Sequence, residues 1–282
     1  MWFKKFFNFF LFSSIFIALC AVALCMETNI LLGLPFNNFS FYCFVFGATL
    51  LQYNLHYVSK TVAVKDSLRF EWSQRNKGIH IVLLIAGFLL IIFSLFSFRL
   101  QHFFVLIILG AIAFLYSFPI LPFGRKKRIK EYGILKITTL ALLWTLVSVW
   151  FPANAMPYDT ILFSFVFVKR FVFMLILCLL FDVRDYQVDF EKNIRTFPVI
   201  LGIKNAYSFA YLLLILLSLL SLFQFWYLKQ PGFLIAMVIS ILATAFTIRY
   251  TKKNNSDIVF LAGIDGMMLL QAALIFLFSL NL

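Results

Sequence analysis

The chain has 282 residues, of which 63% are hydrophobic and only 12% are charged. This composition excludes an ordinary soluble domain and is typical of an all-α, polytopic membrane protein. The net charge of +13 does not indicate a nucleic-acid partner, because the basic residues lie in short connections between apolar runs. There they report orientation in a lipid bilayer.

Nine apolar runs predict nine transmembrane helices in a single bundle, one polytopic domain over residues 1–282. The first run, about 6–26, follows Lys4 and Lys5. A signal peptide is the competing interpretation, but the length of the run favours a retained span. The other spans are expected near residues 36–56, 79–98, 103–120, 133–151, 160–181, 205–228, 232–250 and 257–279.

The basic residues are distributed unequally between the two sides of this bundle. Twenty of the 24 lysines and arginines fall in connections on one side. Arg99 and Lys229 alone fall on the other side, and Lys169 and Arg170 fall within the sixth span. The positive-inside rule therefore predicts a multi-pass protein of the cell membrane with a cytoplasmic N-terminus and a C-terminus on the opposite side.

The sixth span leads into the polar segment FDVRDYQVDFEKNIRTFPVILGIK, residues 181–204. Asp182, Asp185 and Asp189 are three and four residues apart and would share one face of a helix. Carboxylates at a helix C-terminus are unfavourable, so cations must offset them. Basic neighbours or a bound Mg²⁺ would do so, and Mg²⁺ takes one or two carboxylates together with water and phosphate oxygens. A solvated acidic loop is the alternative interpretation.

Three further charges lie within the spans, where charged residues normally face the bundle interior. From the helical rise, we expect Arg170 in span six to pair with Asp265 in span nine, while Lys169 extends outwards to the interface. In the competing interpretation, Lys169 and Arg170 mark the outer end of a short sixth span and Asp265 lines a chamber.

Several of these features together resemble the UbiA superfamily of intramembrane prenyltransferases. They are the nine spans, the aspartate row, its continuation Ile194-Arg195-Thr196-Phe197-Pro198, the Tyr116-Ser117-Phe118-Pro119 ending of span four, and Asp265-Gly266. The resemblance covers essentially the whole chain. It implies a helical bundle around a lipid-accessible chamber, in which a prenyl group passes from a polyprenyl diphosphate to a lipid-soluble, often aromatic, acceptor.

The resemblance also implies which residues act. Asp182, Asp185 and Asp189 would be the catalytic residues and the ligands of Mg²⁺. The substrate-binding candidates are Asp265 and a set of polar residues at the same side of the predicted bundle. These polar residues are Asn54, His56, Lys60, Tyr116, Lys126, Arg128, Lys192 and Arg195.

The sequence departs from the family pattern after Asn54. Carboxylates are expected there at four-residue steps, but these positions are Val58 and Val62. One interpretation is an enzyme with metal on one motif and basic residues at the other, and we favour it. The other is a catalytically degenerate protein that binds an isoprenoid lipid or quinone. A transporter is less favoured, because the sequence has no internal repeat. Nothing in the sequence indicates an oligomeric state.

Overall fold

A computed structural model describes residues 2–59, 67–117 and 133–279, and these residues form helices without a β-strand. The long helices follow from long apolar runs, which bury their backbone polar groups in their own hydrogen bonds. The helices are α1 (Trp2–Phe12), α2 (Ile15–Leu31), α3 (Phe39–Ser59), α4 (Leu68–Arg75), α5 (Lys77–Leu95), α6 (Leu100–Ser117), α7 (Gly133–Ala153), α8 (Thr160–Arg184), α9 (Tyr186–Glu191), α10 (Phe197–Leu201), α11 (Ile203–Leu228), α12 (Pro231–Thr251) and α13 (Val259–Ser279).

Six of these helices are long and apolar enough to cross a membrane: α5, α7, α8, α11, α12 and α13. The pair α1–α2 adds a seventh span if the two are taken together. The apolar part of α6, Leu100–Tyr116, is shorter, and α3 is not among the six. The all-helical fold and the multi-pass character are thus confirmed, while the count of nine spans stays a prediction.

The first predicted span is wrong as a continuous helix. The chain breaks at Ser13 and Ser14, where Ser14 has a left-handed φ of 70°, and α1 meets α2 at 62°. The Ser14 hydroxyl accepts a hydrogen bond of 2.9 Å from the Arg69 guanidinium, which holds the break in place. Because α2 therefore ends at Leu31 and not near residue 26, it carries Glu27 into the bundle.

Helix α8 lies at the centre of the bundle. Of its most apolar stretch, 61% is buried, against 44% or less in the other five span helices. Its neighbours include α7 and α11. Beside this core, α3 and α5 approach closely at Gly47 and Gly87. A Cβ atom on either glycine would lie less than 3 Å from the carbonyl oxygen of the other. Small residues of this kind allow close helix packing in membranes.

The two ends of the bundle carry different polar groups. At the aspartate end, where α8 finishes, Asp257 accepts hydrogen bonds of 2.9 Å from the Ser67 hydroxyl and the Arg69 backbone. At the opposite end, Asn37 donates to Asn29 of α2. Between the ends, large apolar side chains such as Leu216, Phe223, Leu242 and Phe246 are exposed. Such a surface suits lipid contact.

Candidate functional site

The aspartate end contains a lysine held between two carboxylates. Nζ of Lys136, from the first turn of α7, lies 2.8 Å from Oδ1 of Asp182 and 3.0 Å from Oδ2 of Asp189. The side chains of the two aspartates are only 3% and 7% exposed, and that of Lys136 is 20% exposed. Two nearly buried carboxylates thus share one cation, which is the arrangement that makes their burial tolerable.

Backbone geometry after α9 brings these groups together. Asn193 adopts a left-handed φ of 54°, and the chain turns back so that the backbone amide of Ile194 donates to the carbonyl of Asp189. The carbonyl of Arg195 then lies against the start of α7. A Cβ atom on Gly133 would be 1.5 Å from that oxygen, so only glycine fits there. This contact sets Lys136, three residues further on, beside Asp189.

Burial raises the pKa of Asp189, and the adjacent Lys136 ammonium opposes this rise. The carboxylate lies in α9, outside the membrane-spanning helices. Its ionised form therefore depends on the lysine, and the charge state of the pair depends on pH.

Asp185 does not join this pair. Helix α8 ends at Arg184, and the Arg184 guanidinium binds Asp185 through hydrogen bonds of 2.8 and 3.2 Å. Asp185 is the single residue between α8 and α9, so the predicted row of aspartates is interrupted at its middle member. Among the described residues, no three His, Cys, Asp or Glu side chains converge as metal ligands. The structure brings together two of the three predicted ligands, and their roles stay predictions.

The donor set nevertheless fits one divalent cation. Asp182 and Asp189 already converge on a single positive group, and the buried Oδ2 atom of Asp182 has no hydrogen-bond partner within the described part of the chain. Two carboxylates with a spare oxygen match the demands of Mg²⁺, which fills its remaining positions with water and phosphate oxygens.

A second charged group lies at the same end. Arg69, nearly buried in α4, lies 4.5 Å above the ring of Tyr57, and Arg184 lies 3.9 Å from Asp257. Both guanidiniums act electrostatically on Asp265 of α13. Positive charge thus faces the interior from α4, α7 and α8.

The other predicted substrate-binding residues are placed as follows. Tyr116 lies near enough to Lys136, Asp182 and Asp189 to experience their charges. Asn54 is engaged elsewhere, because its amide donates to the carbonyls of Ser13 and Leu50. Its oxygen contacts the His80 ring.

Other candidates are at the surface or outside the description. His56, Lys192 and Arg195 are exposed, and their substrate-binding roles stay predictions. The remaining candidates fall outside the described residues: Lys60, Lys126 and Arg128.

The buried charges of α8 find other partners than expected. Nη2 of Arg170 lies 2.9 Å from Oε2 of Glu27, so the predicted pair with Asp265 is wrong. Lys169 does not extend outwards but donates to Oε1 of Gln224 at 2.5 Å. The short-span alternative is also wrong, because α8 is continuous from Thr160 to Arg184.

Sequence reasoning assigned no site role to Lys136, Arg69, Asp257 or Glu27. A usable signal existed for two of them. Lys136 is a lone lysine inside an apolar run, and such residues normally mark interior sites. Glu27 directly follows the predicted first run, and the apolar residues Ile30, Leu31 and Leu32 come soon after it. For Arg69 and Asp257, in polar connections, the sequence carries no comparable signal.

The fold and the carboxylate–lysine cluster define a multi-pass membrane protein with a polar site at one end of an apolar bundle. The model of the UbiA prenyltransferase family matches residues 74–264, which is more than half of the chain. The chain therefore belongs to the UbiA prenyltransferase family. A comparison with curated proteins finds no match.

Solved structures give the same fold. A UbiA homologue from Archaeoglobus fulgidus bound to GPP and Mg²⁺ has a TM-score of 0.65 and 14% identity, over 97% of this chain and 99% of that one. A UbiA homologue from the same organism bound to DMAPP and Mg²⁺ has a TM-score of 0.63 and 14% identity, over 96% of this chain and 99% of that one. A digeranylgeranylglyceryl phosphate synthase gives 0.59 and 16%, over 99% of each chain. At these identities the likeness shows the fold alone.

Proposed function

We propose that the protein is an integral membrane prenyltransferase that transfers a prenyl group from a polyprenyl diphosphate to a lipid-soluble acceptor. The observation that carries the proposal is the Lys136 ammonium held between Asp182 and Asp189 at the end of an apolar bundle. Such a site joins charge recognition to an apolar interior. The A. fulgidus homologue, of the same fold, binds GPP and DMAPP with Mg²⁺.

In this reaction the C1–O bond of the allylic diphosphate breaks and the acceptor's electron pair forms the new bond to C1. The acceptor's proton passes to the released pyrophosphate. Negative charge accumulates on the leaving pyrophosphate, and positive groups fixed nearby lower the energy of that transition state. Lys136, Arg69 and Arg184 are three of the described cations at this end. The proposed additional ligands are Lys192, Arg195 and, outside the described residues, Lys60, Lys126 and Arg128.

Asp182 and Asp189 are the residues that would hold Mg²⁺, and Asp185 would join them only by leaving Arg184. When bound, the metal supplies charge neutralisation for the diphosphate oxygens. The apolar interior accommodates the prenyl chain and keeps water from the allylic cation. We place this end at the cytoplasmic side of the cell membrane, because the predicted basic connections lie there.

One observation favours a second function, the non-catalytic binding of an isoprenoid lipid or quinone. The position four residues after Asn54 is Val58, and Asn54 itself is held by Ser13, Leu50 and His80. The metal site implied for the first motif therefore lacks its ligands among the described residues. A protein of this kind would bind an isoprenoid and release no pyrophosphate.

The test measures pyrophosphate release from a labelled polyprenyl diphosphate by the full chain purified in detergent, with Mg²⁺ and with a chelator. Binding of an uncleavable prenyl thiodiphosphate is measured in parallel. Asp182→Asn should abolish release. Glu191→Gln is the matched control, because Glu191 is exposed in the same segment.

Metal-dependent release that is lost in Asp182→Asn and retained in Glu191→Gln supports the transferase. Binding of prenyl ligands without release supports the second function. Neither binding nor release under any condition contradicts both proposals.

A further inference from the structure

A second polar cluster lies in the half of the bundle away from the aspartates. It consists of Glu27 on α2, Lys169 and Arg170 on α8, and Gln224 on α11. Arg170 is twelve residues from Asp182 on the same helix, or about 18 Å along its axis. All four side chains belong to residues that are at most 3% exposed. The cluster is therefore separate from the site described above.

The contacts within this cluster are incomplete. Arg170 and Glu27 are in ionic contact at 2.9 Å, but the contact is not aligned as a hydrogen bond, and both oxygens of Glu27 lack a hydrogen-bond partner. Nη1 of Arg170 and Nε2 of Gln224 are buried donors that also lack a partner within the described ranges. Native proteins rarely leave such groups unsatisfied, so each one calls for a bound group or a water molecule.

The charge of the cluster is also unbalanced. With Lys169 in its ammonium form, two cations face the single carboxylate of Glu27, and all three charges interact. Lys169 uses the oxygen of Gln224 and lies 4.4 Å above the ring of Phe233, but neither contact supplies a negative charge. An uncompensated cation inside an apolar bundle is costly. Water would satisfy the free donors but not this charge.

We propose that this cluster binds a monovalent anionic group between Lys169, Arg170 and Gln224. The group balances the excess charge and accepts hydrogen bonds from Nη1 of Arg170 and Nε2 of Gln224. It is either a small inorganic anion or the carboxylate of a membrane-soluble organic molecule. The inference does not depend on the reaction at the aspartate end.

The experiment follows thermal unfolding of the full chain in detergent by its tryptophan fluorescence. Sodium chloride and sodium benzoate are each compared with sodium gluconate, a bulky anion, at constant ionic strength. We expect the unfolding midpoint to rise by a few degrees for each tenfold increase in the concentration of the anion that binds, once this concentration exceeds the dissociation constant. A rise in chloride identifies an inorganic ion, and a rise in benzoate alone identifies an organic carboxylate.

Substitutions move this shift in opposite directions. Lys169→Met removes the excess charge and should abolish it, whereas Glu27→Gln increases the excess charge and should enlarge it. Lys229→Met is the matched control, because Lys229 lies outside the cluster, over the ring of Trp226. If Lys169→Met does not fold, Gln224→Leu removes one of the free donors and should reduce the shift.

The proposal is overturned if the wild-type protein unfolds identically in the three salts. It is also overturned if Lys169→Met, or Gln224→Leu in its place, keeps the full shift, since the anion would then bind elsewhere.

Discussion

Replacement of Lys136 by methionine removes the cation that two carboxylates share. The ammonium lies 2.8 and 3.0 Å from Asp182 and Asp189, and at an effective dielectric constant of about 20 each contact contributes roughly 5–6 kcal/mol of attraction. The cost of desolvating the three charges offsets much of this. Once the lysine is gone, however, the carboxylates stay nearly buried and repel each other. We expect the free energy of unfolding to fall by about 3–5 kcal/mol.

The same substitution empties the position between the carboxylates. Divalent cations should then stabilise Lys136→Met more than the wild-type protein, because they no longer compete with the ammonium. The assay is the unfolding midpoint in detergent, with and without Mg²⁺ and Mn²⁺. Lys136→Arg keeps the charge and should lose less stability. Lys204→Met is the control, since Lys204 is an exposed lysine of the same segment.

Two results would refute this reasoning. If Lys136→Met is as stable as Lys204→Met, the pair of contacts contributes nothing to folding. If Mg²⁺ shifts the midpoints of Lys136→Met and the wild-type protein equally, the lysine does not occupy the cation position.

Three further predictions concern other parts of the bundle. Gly133→Ala should cost about 3 kcal/mol of stability, because its Cβ would meet a backbone oxygen. Gly110→Ala should cost little in the same unfolding assay, because a Cβ there meets no described atom within 4 Å beyond its own helix backbone. The pKa of Asp189 is raised by burial, so the ionised carboxylate destabilises the fold above that pKa and the protonated one does not. The loss of stability in Lys136→Met should therefore shrink as the pH of the unfolding measurement is lowered. Glu27→Met should lose about 3–5 kcal/mol of unfolding free energy, because it leaves Arg170 unpaired. The double variant with Arg170→Met should recover much of this loss, and strictly additive losses in this double-mutant cycle would contradict the pair.

The long helices were predictable from the sequence because apolar length is a local property. The runs near 160–181, 205–228 and 232–250 correspond to α8, α11 and α12 within three residues at each end. The aspartate segment was also recognisable, since it interrupts apolar sequence with closely spaced charges. The helical period did not indicate where α8 ends, and the Asp185 carboxylate that follows this end is bound by the Arg184 guanidinium.

The break at Ser13 and Ser14 had no comparable local signal. It depends on Arg69, which approaches from a connection 55 residues away. The consequence reaches the other half of the bundle. A span taken to end near residue 26 leaves Glu27 at the interface, and the helical rise then pairs Arg170 with Asp265. Once the break shifts the membrane-spanning segment towards Leu31, Glu27 enters the interior and pairs with Arg170.

The contact between Lys136 and the aspartates was beyond sequence reasoning for a different reason. It requires the start of α7 to lie against the turn after α9, and no periodicity indicates which helices are neighbours. Gly133 permits that approach, but a single glycine before an apolar run fits many other roles.

Charge balance at the aspartate end leads to a last prediction. The trio that Lys136 forms with Asp182 and Asp189 carries two carboxylates and one cation. One negative charge is left over in this trio, and a divalent cation would offset it. A diphosphate brings more negative charge, so we expect it to bind weakly alone and strongly with Mg²⁺.

The measurement is equilibrium binding of an uncleavable prenyl thiodiphosphate to the purified chain, with Mg²⁺ and with a chelator. Affinity should fall at least tenfold on chelation, which corresponds to about 1.4 kcal/mol, and further in Lys136→Met, where the surplus of negative charge grows to two. Lys204→Met should behave as the wild-type protein does. Equal affinity with and without the metal would mean that the basic residues alone recognise the diphosphate, and that the aspartates hold the lysine and not a metal ion.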